Sequence, residues 1–500
     1  MSTRIVVVGG GTAGARLAQR LPVTLLGEES HAPYNRLLLA DVLAGRYGPE
    51  VIALPAAREP ARLGTRAVRI DRAARTVECA DGSLVPYDRL VLATGAAPVL
   101  PPLRGLRGAR LPSGVHPFRT LDDCLALRER VRPGVRAVVV GGGLLGVSAA
   151  RALAAGGAEV MLTQQGERLM ERQLDDEASA LLHTHLTELG VEVHTECRVS
   201  GLRQRDGAVT AVELADGFVL DAQIVVLACG VRPRVALARE AGLDVRTGVV
   251  IDDELRTSDP SIHAIGDCAE HAGRVYGLAG PALDQADVLA ELLAAEAAAL
   301  AVGGASGPDT EAAPCGQSSR RAWGSPQGEA LGGGWATRDG ALGGASAPRT
   351  DPHHEAAAPA PQAPASGPRP EPAAPGAGTE PAPAASGSTP EPTPAEPGTR
   401  PLPRYTGTRA LTRLTLGGAQ PLDLAAFGEA TPLPGDDVVR LTDATRGAYR
   451  KVVVRGDRLV GGVLLGDLGA VGTLARAWEG DEALPDAPLL HLLTHDGGSS

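Results

Sequence analysis

Two glycine runs are the residues in this chain best placed to do chemistry. The first reads Val-Val-Val-Gly9-Gly-Gly11-Thr12-Ala13-Gly14, and the second Val-Val-Val-Gly141-Gly-Gly143-Leu144-Leu145-Gly146. Each follows a β-branched apolar run and opens an Ala/Leu-rich helical pattern, the context that makes a G-x-G-x-x-G match specific. In such a turn the first glycine closes the bend and the second lets backbone approach a diphosphate. The third lets the helix pack closely on the strand. The diphosphate then sits at a helix N-terminus, where N–H groups and the dipole favour negative charge. Two copies predict two dinucleotides brought together so that a hydride passes between them. Such a transfer needs two apposed rings more than a proton-transfer residue, so no catalytic acid, base or nucleophile is assigned.

Other side chains refine these two sites. An acid about 20 residues beyond the first fingerprint would accept from an adenosine ribose. Glu28 ends the strand Val-Thr-Leu-Leu-Gly-Glu at that spacing, with Glu29 as a near substitute. The corresponding strand after the second fingerprint ends Met-Leu-Thr163-Gln164-Gln165. It offers Gln164 at the ribose position, with no acid for a 2′-hydroxyl and no adjacent arginine for a 2′-phosphate. Arg168 is the nearest basic residue, and NADH against NADPH stays open. The six cysteines, at 79, 124, 197, 229, 268 and 315, form no C-x-x-C or C-x-x-x-x-C pair. That pattern supports neither a redox dithiol nor an iron–sulfur or zinc cluster. His183 and His185 stand two apart on a predicted helix, a poor spacing for joint ligation, and His263 and His271 read as structural. No metal site is expected.

The elements that must hold these residues alternate apolar strands with helical stretches, the pattern of α/β layering. Strands are predicted at Arg4–Val8, Val23–Leu26, Leu90–Ala93, Ala137–Val140, Glu159–Thr163 and Ile224–Ala228. Further strands, at Tyr405–Leu416 and Tyr449–Leu465, belong to a small C-terminal α/β domain, the latter folding as a hairpin about a Gly-Asp turn. Between them, residues 304–403 are dense in Pro, Ala, Gly, Ser and Glu. They lack hydrophobic periodicity and are expected to be disordered, although Trp323 and Trp335 lie there. At 500 residues the chain has room for two or three domains. A formal net charge of −11 argues against a nucleic-acid partner, and no apolar run is long enough for a membrane span. The first strand begins almost at the N-terminus, leaving no room for a signal peptide, so a cytoplasmic location is expected. Lys451 is the only lysine, a bias read as coding preference.

The run Tyr-Asp-Arg-Leu-Val-Leu-Ala93-Thr94-Gly95 resembles the ATG signature of the FAD-dependent pyridine-nucleotide oxidoreductases. Ser-Ile-His-Ala-Ile-Gly266-Asp267-Cys resembles their second FAD motif. The resemblance implies that Asp267 bonds the ribityl chain, that Arg36 and Ala67 contact the cofactor, and that the Arg119 segment leads into the NAD(P) domain. It implies an FAD domain, 1–113 and 233–303, split by an NAD(P)-binding domain at 114–232. Both are Rossmann-like; the 404–483 domain and a 484–500 tail follow. FAD would thus be held by Gly9, Gly11, Thr12, Ala13, Gly14, Glu28, Arg36, Ala67, Ala93, Thr94, Gly95, Arg119, Gly266 and Asp267. NADH or NADPH would be held by Gly141, Gly143, Leu144, Leu145, Gly146 and Gln164.

Within that superfamily, Asp41 stands where ferredoxin and rubredoxin reductases usually carry a lysine. The runs around Asp41 and Arg168–Asp175 are similar to the flavin module of the NAD(P)H nitrite reductase large subunit and of assimilatory nitrate reductase electron-transfer subunits. The implied function is transfer of electrons from NAD(P)H through FAD to an iron–sulfur, sirohaem or molybdenum protein in nitrate or nitrite assimilation. The cysteine-rich and sirohaem domains of nitrite reductase have no counterpart in the sequence, and Ser148 replaces the family's glutamate near the nicotinamide. A ferredoxin or rubredoxin reductase of another pathway is the first alternative. A non-catalytic, nucleotide-sensing flavoprotein is the second.

Overall fold

The computed structural model describes residues 3–106, 110–303, 402–409, 411–417, 421–443, 445–481, 483–485 and 488–494. The 304–403 segment, apart from its last two positions, lies outside these residues, as do Trp323 and Trp335.

Two parallel sheets carry the two glycine loops. In the first, the strand order is Ile262–Ala264, Arg89–Leu92, Ile5–Val8, Thr24–Leu26. The first loop leaves a central strand, and helix Thr12–Arg20 returns across the sheet to pack on helix Ala279–Gly303. Arg16 fastens those helices through both oxygens of Asp287, at 2.8 and 2.9 Å. In the second sheet the order is Val191–His194, Glu159–Thr163, Arg136–Val140, Ile224–Leu227, Val115–Pro117, all parallel. Strands of this kind are covered on both faces, so their burial is continuous: Ala137, Val138 and Val139 are wholly enclosed, as are Val225 and Val226. The first sheet takes its strands from both sides of the second in the sequence. Each sheet also carries a small antiparallel annex, Ala67–Asp71 with Thr76–Cys79 and Leu84–Pro86, and Val199–Arg205 with Ala208–Leu214 and Val219–Asp221. Where the chain crosses between the halves, Ala96–Pro98 pairs antiparallel with Val231–Pro233.

The C-terminal part is a five-stranded antiparallel sheet ordered Thr412–Leu416, Leu422–Gly428, Arg458–Leu465, Ala448–Arg455, Asp437–Asp443, with helix Val471–Gly480 on it. The hairpin turning at Gly456-Asp457 is present as expected. The long strand expected from Tyr405 begins only at Thr412, and the residues around Tyr405 run as an irregular strap. Tyr405 is buried there against His271 and Tyr276, with ring centroids 4.9 and 6.2 Å away, which explains its apolar sequence signal without strand pairing. Leu422–Gly428 and Asp437–Asp443 are strands that alternation did not reveal; one is buried on both faces and the other lies at the sheet edge.

Candidate functional site

The two glycine loops open into one cleft of about 2570 Å³. Steric demands at the two loops match almost atom for atom. Gly9 and Gly141 have φ of +116° and +112°, and a Cβ on either would lie 2.1 Å from Ala93 O or 2.5 Å from Ala228 O. No L side chain is tolerated at either position. Gly11 and Gly143 have nothing within 4 Å of a hypothetical Cβ; they are the N-caps of helices Thr12–Arg20 and Leu144–Ala155, and no side chain caps either helix. That is open ground for a diphosphate beside amide N–H groups. A Cβ on Gly14 would meet Gly9 O at 2.0 Å, and one on Gly146 would meet Gly141 O at 1.8 Å. These two glycines set the helix–strand approach and, alone among the expected site residues, do not line the cleft. Glu28, Arg36, Ala67, Ala93, Thr94, Gly95, Arg119, Gly266 and Asp267 all line it, as do Leu144, Leu145 and Gln164.

Around the first loop the charges are paired into a network. Arg119 reaches Asp267 at 2.6 Å across 148 residues of sequence, both side chains less than one-fifth exposed. Arg36 donates to Glu29 at 2.5 Å, to Tyr34 Oη at 3.0 Å and to the Arg119 carbonyl at 2.9 Å. Tyr34 Oη in turn donates to Glu29 at 2.6 Å and accepts from Leu121 N–H, and burial pushes its phenol well above the ordinary range. Glu29 is therefore an anchor for Arg36, which leaves Glu28 as the freer acid at the strand end; Glu28 is half exposed and touches Arg234 at 2.6 Å. Tyr34 had no sequence signal beyond its place beside Arg36. Thr94 uses its hydroxyl to hold the Arg234 carbonyl at 2.7 Å.

The second loop is differently furnished. Gln164 Oε1 accepts from Gly142 N–H at 2.8 Å, so this side chain braces the loop from beneath. Arg168, the basic residue nearest in sequence, is paired with Asp176 at 2.5 Å and does not line the cleft. Ser148 also lies outside the cleft lining: it is buried, and its hydroxyl donates to Leu144 O one turn back at 2.8 Å.

Asp41 and the lone lysine both turn out to join parts of the molecule. Asp41 accepts from the buried Arg151 at 3.0 Å and from Arg46 at 3.1 Å, while Arg151 also donates to the Gly417 carbonyl at 2.9 Å. Lys451 is buried with its ammonium 2.8 Å from Asp175, whose carboxylate also accepts from Tyr449 at 2.7 Å and caps helix Asp176–Glu188. Burial alone would raise the Asp175 pKa, but the hydrogen bonds from Lys451 and Tyr449 carry it below the usual carboxylate range.

The cysteines of the described residues are all free; burial raises the thiols of Cys229 and Cys268 above the ordinary value and pushes Cys124 up to about 11. Among the described residues no cluster of His, Cys, Asp and Glu is suited to a metal ion, and no helix is long and apolar enough to cross a membrane.

The family model of the pyridine nucleotide-disulphide oxidoreductases matches residues 3–286. The chain belongs to that family. Members are NAD(P)H-dependent flavin oxidoreductases, and FAD with NAD(P)H are its cofactors. A second model, the rubredoxin NAD+ reductase C-terminal domain, matches residues 419–480. The assimilatory nitrate reductase electron transfer subunit of Bacillus subtilis is 34% identical over 304 residues, 57% of this chain and 38% of that protein. The nitrite reductase [NAD(P)H] large subunit of Klebsiella oxytoca is 36% identical over 59% of this chain and 32% of its own length. The chain thus covers about a third of the length of these relatives. Rhodocoxin reductase of Rhodococcus erythropolis is 36% identical over 58% of this chain and 71% of its own. Among solved structures, the putidaredoxin reductase–putidaredoxin complex matches 98% of each chain with a TM-score of 0.69 at 20% identity, a likeness of fold.

Proposed function

We propose that this oxidoreductase takes a hydride from NAD(P)H onto FAD and passes the electrons to a separate redox protein serving nitrate or nitrite assimilation. The observation that carries the reading is the shared cleft, into which both glycine loops open with the same steric cradle. Bound FAD would supply the conversion of a two-electron donor into one-electron steps. The residues present fit it: Gly11 offers the open amide corner for the diphosphate, and Glu28 faces the cleft for the adenosine ribose. The Arg119–Asp267 pair provides a carboxylate and a guanidinium for the polar chain between diphosphate and flavin. At the second loop, Gly143 offers the matching corner for the nicotinamide dinucleotide. The acceptor would be an iron–sulfur, sirohaem or molybdenum protein, by analogy with the nitrate and nitrite relatives.

A second acceptor, a free ferredoxin or rubredoxin, is favoured by one observation. The match extends into a rubredoxin reductase C-terminal domain and over most of rhodocoxin reductase's length. Anaerobic mixing of the flavin-loaded protein with NADH and NADPH tests the shared core of both readings. The visible flavin absorbance should bleach; if neither nucleotide bleaches it, the reductase reading fails. Reoxidation of the reduced protein by a nitrite reductase preparation against a rubredoxin then separates the acceptors.

A further inference from the structure

The adenosine end of a dinucleotide held by the second loop lies beyond the strand Glu159–Thr163. An NADH site keeps a carboxylate there to accept from the ribose hydroxyls, and this strand end offers Gln164 and Gln165. Gln164 already spends its carbonyl on Gly142 N–H. Backbone bonds bring another segment alongside. Gln164 N–H donates to His194 O at 2.8 Å, Cys197 N–H to Gln164 O at 2.9 Å, and Glu196 N–H to Gly166 O at 2.9 Å. Arg198 follows directly and lines the cleft. On the other side, Met170 N–H donates to Gly142 O at 2.9 Å, and Arg172, two residues on, lines the cleft as well.

Both arginines are exposed, and among the described residues neither guanidinium has a hydrogen-bond or ion-pair partner. Four other arginines of the cleft are paired: Arg36 is held by Glu29, Arg119 by Asp267, Arg104 by Glu213 and Arg234 by Glu28. Arg232, in the strand Val231–Pro233, and Arg239, in the helix Ala236–Glu240 that follows, line the cleft without a side-chain partner among the described residues. Carboxylates near this corner are Glu171, which lines the cleft with its carboxylate folded against the Gly166 backbone, Glu213, which lines it but is paired with Arg104 and Arg203, and Glu196, exposed beside Arg198 and outside the cleft lining. The cleft wall here thus carries two unpaired guanidinium groups against one carboxylate without a cationic partner. A phosphate monoester, with between one and two negative charges at neutral pH, matches that wall and accepts the paired N–H bonds that arginine donates.

We propose that the electron donor is NADPH, selected over NADH by Arg172 and Arg198 through its 2′-phosphate; this rests on the reductase reading above. The direct test is binding of 2′,5′-ADP against 5′-AMP to the flavin-loaded protein by calorimetry, which needs no turnover. The 2′,5′-ADP should bind roughly tenfold or more tightly than AMP. Arg198→Ala and Arg172→Ala should each erase much of that advantage while leaving AMP binding and flavin content unchanged, and Glu171→Gln should widen it. Equal binding of the two ligands by the wild type, or equal weakening of both by the double variant, overturns the proposal. Rapid mixing separates the two levels of the argument. Reduction by NADH alone removes the NADPH inference and keeps the reductase; reduction by neither removes the reductase, while the binding comparison still decides what the corner recognises.

Discussion

The two glycine loops have the same backbone and opposite surroundings. At the first, Arg36, Glu29, Tyr34, Arg119 and Asp267 are already bonded to one another, so the wall is a closed, pre-organised network. At the second, one glutamine braces the loop and two arginines stand without partners. A paired wall loses little ordering entropy when it meets a resident ligand, which suits a cofactor that stays. Unpaired exposed arginines suit a ligand that arrives and leaves, drawn by charge. On the proposed function the same turn serves a cofactor on one side and a substrate on the other, and the difference lies in the side chains that back it.

The largest expected effect breaks one loop without the other. Gly14→Val drives side-chain atoms into Gly9 O, so the purified protein should lack flavin, as measured by absorbance and released FAD. Gly146→Val makes the matching clash with Gly141 O. That variant should retain its flavin and lose about a hundredfold or more in the rate of reduction by NAD(P)H.

The buttress of the second half gives the next effect. Lys451→Met strips the buried ammonium from Asp175, leaving a carboxylate held by Tyr449 and one helix-cap bond. A cost of about 3 kcal/mol in denaturant unfolding is expected, with flavin content unchanged. The partly exposed neighbour Arg440–Glu177, at 2.7 Å, bridges the same two parts. Arg440→Ala should change stability by less than about 0.5 kcal/mol, the smallest effect in the series.

Between these in size lies a pH effect on the first half. His263 sits in the strand that leads into Gly266-Asp267, with Nδ1 buried and unbonded, and burial lowers its pKa from 6.5 to about 4. Above pH 6.5 the ring is neutral folded or unfolded, and it contributes nothing. As pH falls from about 6.5 towards 4, the unfolded chain takes up a proton that the folded one refuses, so stability declines, by at most about 3 kcal/mol. Thermal melts between pH 7 and 4 should show this slope, and His263→Gln should flatten it.

What was legible in the sequence follows a physical division. The glycine loops could be read directly because their requirement is local: a left-handed turn and a close helix–strand approach admit no other residue. The parallel strands were readable because burial on both faces makes them continuous apolar runs. Arg119 and Asp267 were each singled out, but their contact, across 148 residues, had no local trace. Glu29 looked like a substitute for Glu28 until the fold turned it towards Arg36. Arg168 looked like the basic residue of the second site because it was nearest in sequence. The cleft is instead lined by Arg172 and by Arg198, which sits in the loop just before the strand Val199–Arg205. Lys451 carried the clearest unread signal: a solitary lysine within the strand Ala448–Arg455, whose interior is buried on both faces, has to find a carboxylate.

The most direct measurement compares wild type and Gly146→Val, both loaded with FAD and mixed anaerobically with NADPH while the visible flavin absorbance is followed. The two-loop account predicts rapid bleaching of the wild type and a flavin that stays oxidised in the variant over the same interval. Bleaching of both at the same rate would show that the second loop does not hold the donor, and would contradict it.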